Sequence, residues 1–138
     1  MGLWASSTIR NNSSLNIVCN QWTMSEHEAL LRKSYAAYNA RDLPTLLTAL
    51  APDVEWEDQF EGVVIHGVEA VGAYWRRQWK ELDPIVEFKH FEMDPMGRGV
   101  STLILALRGP DGAILSKGLL RHVYQFENGL VKNMRMLL

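Results

Sequence analysis

The sequence predicts an α+β fold in which a curved, largely antiparallel sheet wraps around about three helices and encloses an apolar pocket. Three observations carry this. Apolar stripes at helical spacing lie mostly within residues 25–82, and alternating segments separated by turn signals fill residues 85–137. Strands grouped after helices, rather than alternating with them, argue against a parallel βαβ sheet. The chain has 138 residues, 47% apolar and 22% charged, which is an ordinary globular composition with enough length for one full core.

Charge and cysteine content exclude several classes. Lys and Arg number 14 against 16 Asp and Glu, a net charge of −2, so the chain is not built to neutralise phosphate backbones and nucleic acid is not an expected partner. No uncharged apolar run approaches the roughly 20 residues that span a bilayer, so no membrane partner is expected. Cys19 is the only cysteine, which excludes an intrachain disulfide framework and a multi-thiolate metal site. Five tryptophans are many for so short a chain and suggest the wall of a pocket or an interface.

Residues 1–23 stand apart. Asn11, Asn12, Asn16 and Asn20 fall there with four serines between Ser6 and Ser14, and Arg10 is the only charged side chain. No helical or strand period runs through them, and Leu15–Val18 is too short for a secretion signal. The stretch reads as a disordered or loosely packed tail, with an extra strand through Leu15–Val18 as the alternative; the domain is then 24–138, expected in the cytoplasm.

Ser25 and Glu28 are spaced as a capping box, and Leu30, Leu31, Ser34, Tyr35, Ala37 and Tyr38 follow on one helical stripe. A short second helix is expected over Leu43–Leu50, with Pro44 early, where a missing N–H costs little; Ala51-Pro52-Asp53 ends it. Val54–Asp58 alternates as a strand, Val63–Ile65 returns, and Glu69–Leu82 reads as a third helix with Val71, Trp75, Trp79 and Leu82 on its stripe. Ile85–Met93, Gly99–Leu107, Ala113–Phe126 and Leu130–Leu137 then read as strands. In the first of these, Val86, Phe88 and His90 share one face, and Glu87, Lys89 and Phe91 the other. Gly109–Gly112 and Asn128-Gly129 are hairpin signals.

Phosphate-loop, dinucleotide and nucleophile-elbow motifs are absent, and no metal-ligand spacing recurs, so neither a cofactor nor a metal is expected. Asp58 shares a strand face with Trp56 and Val54. It is either a desolvated base of raised basicity or the cap of the following turn. Arg121 sits mid-strand and needs a partner or water: an internal carboxylate such as Asp58, an interface, or the oxygen of a ligand. His122 points the opposite way, so the two cannot line one cavity. Trp75 and Trp79, four apart on a helix, are core or a flat ligand wall.

The run Tyr35-Ala-Ala-Tyr-Asn-Ala-Arg-Asp-Leu43, then Leu50-Ala-Pro-Asp-Val-Glu-Trp-Glu-Asp58, then Ile65-His-Gly-Val-Glu-Ala-Val71, resembles a SnoaL-like domain, of the superfamily shared by ketosteroid isomerase and nuclear transport factor. The end of the chain, from His122 through Gly129 to Met136, resembles the last hairpin of that fold, and the likeness covers residues 26–138. The resemblance implies a cone-shaped fold with a deep apolar pocket, and commonly a homodimer through the outer face of the sheet. In ketosteroid isomerase a strand Asp is the base, and a Tyr with a protonated Asp holds the oxyanion. Carried over, the base falls on Asp58, the oxyanion Tyr on Ser34, one position before Tyr35, and the oxyanion Asp on Arg121. With both oxyanion donors changed, steroid isomerisation is not expected. What is expected is a small hydrophobic or aromatic ligand, held and isomerised, cyclised or cleaved without a cofactor, with non-catalytic binding or a dimeric interaction module as the alternative. Asp58 and Arg121 would be catalytic, and Ser34, Tyr35, Tyr38, Trp56, Trp75, Trp79, Val123 and Met134 would line the ligand site.

Overall fold

A computed structural model describes residues 22–137. The tail reading and its alternative strand therefore fall almost wholly outside the described residues. Helix α1 (Met24–Ala40) is capped by Thr23: its hydroxyl accepts from the Glu26 backbone N–H at 3.1 Å, and the Glu26 carboxylate accepts from the Thr23 N–H at 2.9 Å. The capping box is thus Thr23–Glu26, two residues before the expected Ser25–Glu28. Both pairs have the right spacing, and only the residue that leaves helical backbone can serve as cap. Arg41, at φ 61°, ends the helix in the left-handed conformation.

Helix α2 (Leu43–Leu47) is shorter than expected, because the residues from Leu50 onward are drawn into the sheet as β1 (Leu50–Glu57). Pro52 lies inside that strand rather than before it. The ladder with the neighbouring strand is irregular between Leu50 and Glu55, so a residue without an N–H leaves no gap in a regular ladder. Then come β2 (Val64–His66), α3 (Val68–Leu82), β3 (Pro84–Met93), β4 (Gly99–Arg108), β5 (Ile114–Glu127) and β6 (Leu130–Leu137). One six-stranded sheet runs in the order β2-β1-β6-β5-β4-β3, with β1 and β6 parallel and the other pairs antiparallel.

Two local features set which side chains face inward. A bulge between Phe88 and His90 adds Lys89 to β3, so Val86 and Phe88 pack on the core and, past the bulge, Phe91 does so rather than His90. The Asn128-Gly129 turn has positive φ at both residues, 52° and 77°, as a two-residue hairpin requires. Gly129 is also bound sterically: a Cβ there would come within 2.6 Å of the Trp22 indole. Helix α1 packs against β3, and α3 against β1. Leu31, Tyr35, Val54, Val71, Trp75, Leu103, Tyr124, Val131 and Met134 from both layers form the core. No helix among the described residues is long and apolar enough to cross a membrane.

Candidate ligand-binding cavity

Between the helices and the concave side of the sheet lies an apolar cavity of about 50 Å³. Trp56 and Trp75 form one wall, ring edge to ring face, with centroids 5.0 Å apart and planes at 84°. Trp56 reaches the cavity because period-two alternation puts it on the same face of β1 as the fully buried Val54. Leu31, Leu46, Leu50, Val131 and Met134 complete the apolar lining, and Ser34, Tyr35 and Tyr38 enter it from α1. The Ser34 hydroxyl donates to the Leu30 carbonyl at 2.8 Å, so it is already engaged within the helix.

Three polar residues of the lining, Tyr35, His122 and Tyr124, cluster with Ser101. The Tyr35 hydroxyl shares hydrogen bonds with Ser101 Oγ at 2.7 Å, Tyr124 Oη at 2.6 Å and His122 Nδ1 at 3.2 Å, and Tyr124 Oη lies 3.3 Å from the same nitrogen. All four residues are buried. Desolvation pushes His122 down to about 4, so the imidazole is neutral near pH 7. Burial likewise raises the Tyr35 and Tyr124 hydroxyls well above the usual phenol range, which keeps both as proton-bearing donors. His122 Nε2 is buried and has no hydrogen-bond partner among the described residues.

A second polar group lines the wall between α1 and α3. Tyr38 Oη donates to Gln78 Oε1 at 3.0 Å, Gln78 Nε2 donates to Tyr74 Oη at 2.8 Å, and the Gln59 N–H donates to Tyr74 Oη at 3.3 Å. Burial raises the Tyr74 hydroxyl to about 12. Among the described residues Glu57 is the only formally charged side chain in the lining, and its Oε1 accepts from the Met136 N–H at 2.7 Å.

Four expected site residues lie elsewhere. Arg121 is exposed on the outer face of β5, because the residues that turn inward on that strand are Leu120, His122 and Tyr124. It is exposed, and no salt bridge joins it to Asp58 among the described residues. Val123 follows the same alternation and is likewise absent from the lining. Trp79 shares a stripe with Trp75 but sits one turn further along α3. There it packs on Tyr38 at 5.5 Å and under the Arg41 guanidinium at 5.7 Å, outside the cavity. Asp58 is buried, but as the cap of the β1–β2 turn: its Oδ1 accepts from the Phe60 and Glu61 N–H groups at 2.8 and 3.1 Å. It borders a second hollow with Glu61, Arg77 and Glu81, whose lining shares Tyr74 and Gln78 with the cavity.

Ser34, Tyr35, Tyr38, Trp56, Trp75 and Met134 are therefore brought together as expected. His122, Tyr124, Ser101, Tyr74 and Gln78 were not anticipated from the sequence. The signal for the first two was present, because His122, Tyr124 and Phe126 alternate with Arg121, Val123 and Gln125. At each carried-over oxyanion position the next residue joins the polar cluster: Tyr35 beside Ser34, which also lines the cavity, and His122 beside Arg121, which does not.

Fold and site together define a curved-sheet α+β protein with an apolar, tyrosine-lined cavity. The chain belongs to the SnoaL-like domain family, whose model matches residues 31–134. It is similar in fold to an NTF2-like protein of unknown function from Burkholderia pseudomallei, at 28% identity and TM-score 0.70 over 83% of this chain and 91% of that one. A putative polyketide cyclase from Sinorhizobium meliloti matches at 20% identity and TM-score 0.68, over 79% of this chain and 94% of that one. A Mycobacterium tuberculosis protein solved with estradiol-17beta-hemisuccinate matches at 21% identity and TM-score 0.69, over 82% and 93%. No match was found among curated proteins.

Proposed function

We propose that this chain binds a flat, mostly apolar small molecule in the cavity, with one of its oxygens hydrogen-bonded by the Tyr35–Tyr124–His122 cluster. The observation that carries this reading is a buried, neutral polar cluster at the inner side of a tryptophan-walled cavity, with one ring nitrogen left without a partner. Concave apolar sites with a few convergent polar groups are the usual form of small-molecule sites. The steroid ester held by the M. tuberculosis relative is a ligand of that general shape. Soaking crystals with a mixture of neutral aromatic and polyketide-like compounds tests the reading. Density against Trp56 and Trp75 is expected; soaks that leave the cavity unfilled across the mixture, with no thermal shift in solution, would sink it.

The neutral imidazole favours a second reading, in which the bound molecule is also turned over without a cofactor. A tyrosine hydroxyl aimed at a carbonyl oxygen stabilises charge that develops on it, and an imidazole whose conjugate acid titrates near 4 takes a proton with carboxylate-like basicity. In this reading His122 replaces Asp58 as the proton-accepting group, because the Asp58 carboxylate is occupied by its turn. Deuterium uptake next to the carbonyl of a bound ketone, followed by NMR in heavy water, is the expected sign. Uptake equal in the native chain and in His122→Phe would end this reading while leaving binding intact.

A further inference from the structure

The cavity holds two hydrogen-bonding groups, and each is one bond short. His122 Nε2 is buried without a partner. Two other buried nitrogens among the described residues share that state, on His27 and Trp79, but neither residue lines the cavity. At the second group, Tyr74 Oη accepts from Gln78 and from the Gln59 backbone. Its own proton has no acceptor among the described residues. A phenol that already accepts two hydrogen bonds has only its O–H left to give, and Tyr74 is 4% exposed. No hydrogen bond links the Tyr74–Gln78–Tyr38 group to the Tyr35–His122–Tyr124 group. The apolar rings of Trp56 and Trp75 share the cavity wall with both.

Charge restricts the occupant further. Among the described residues no Lys or Arg lines the cavity, and the one formal charge, Glu57, is negative. A carboxylate or phosphate moved from water into such a site loses its hydration and meets no cation in return.

We infer that the ligand is an uncharged molecule with an apolar ring body and two separate oxygen functions, one meeting His122 Nε2 and the other accepting from the Tyr74 hydroxyl. The inference rests on the binding reading above and narrows it to a substrate class. A hydroxyl at the His122 end serves either tautomer, because it both donates and accepts. Tyr74, supported by Gln78, thereby becomes a specificity-determining residue.

Matched neutral probes test this by quenching of tryptophan fluorescence in the full chain: naphthalene-2,6-diol against 2-naphthol, and 4,4′-biphenol against 4-phenylphenol. In at least one pair the diol should bind about tenfold more tightly than its one-hydroxyl partner, the effect of one further hydrogen bond to a buried group. That ratio should fall toward one in Tyr74→Phe and in His122→Phe, each checked for folding by circular dichroism. The anionic 6-hydroxy-2-naphthoate should bind more weakly than either naphthol. Diols that gain nothing over their partners in both pairs, a ratio that survives Tyr74→Phe, or a carboxylate that binds as tightly as the diol would each overturn the inference while leaving the cavity a binding site. If none of the probes binds, and the soaks also leave the cavity unfilled, the binding reading fails and this inference with it.

Discussion

Strand β5 presents two faces of nearly equal chemical interest. Leu120, His122 and Tyr124 point into the cavity, while Leu119, Arg121 and Val123 lie on the opposite side. The inner residues are held by packing and by a shared hydrogen-bond network; Arg121 is exposed. A shift of one residue would exchange the two sets completely, because strand side chains alternate with a period of two. Which charges, bases and donors this protein offers a ligand is therefore a question of register before it is one of composition.

Replacing the largest inner residue breaks that contrast most strongly. Tyr124 is 1% exposed, stacks beside Phe126 at 5.9 Å and bonds Tyr35 at 2.6 Å. Tyr124→Ala should cost about 3–5 kcal/mol, the range for emptying a buried aromatic site, and would also leave the Tyr35 hydroxyl short of a partner. Urea denaturation measures it; a loss under 1 kcal/mol would mean the inner face is far less tightly packed than its burial indicates.

His122 makes the same contrast pH-dependent. Burial holds its folded value near 4, below the ordinary 6.5, so between those values the unfolded chain binds a proton that the folded chain refuses. Stability is then fully present above about pH 6.5 and falls as the pH drops toward 4, by at most about 3 kcal/mol from this group. His27, also lowered by desolvation, adds a change of the same sign. The difference between the native chain and His122→Phe isolates the larger contribution. Parallel stability curves for the two proteins from pH 7 to 4.5 would show that the imidazole is accessible to protons.

Much of this architecture was legible in the chain. The three helices, the β6 span and the Asn128-Gly129 turn follow from periodicity and turn chemistry, which are local properties. What was not legible depends on partners distant in sequence. The bulge at Lys89 reverses the face of Phe91 and is visible only once β3 is paired with β4. Ser101 looks like any strand serine until Tyr35, 66 residues away, bonds it. Tyr74 and Gln78 lie four apart on α3, a spacing that predicts their contact with each other but not the Tyr38 hydroxyl that completes the group. For Arg121 the alternation was legible, but the family carry-over put it inside while the His122 side of the same strand was the buried one.

Asp58 and Arg121 give the two smaller effects, and together they sharpen the comparison. Asp58→Ala removes an acceptor from two backbone N–H groups in the β1–β2 turn and should cost about 1 kcal/mol, with little change in ligand affinity. Arg121→Ala should cost less than about 0.5 kcal/mol, as for an exposed side chain with no ion-pair partner among the described residues, and should leave both binding and any deuterium uptake unchanged. The two variants measured side by side with His122→Phe separate a register argument from a charge argument. If affinity followed the formal charges, Arg121→Ala would weaken binding and His122→Phe would not. Because only the inner face of β5 meets the cavity, the order should be the reverse, and a titration in which Arg121→Ala loses tenfold in affinity while His122→Phe loses nothing would place the ligand on the outer face of the sheet.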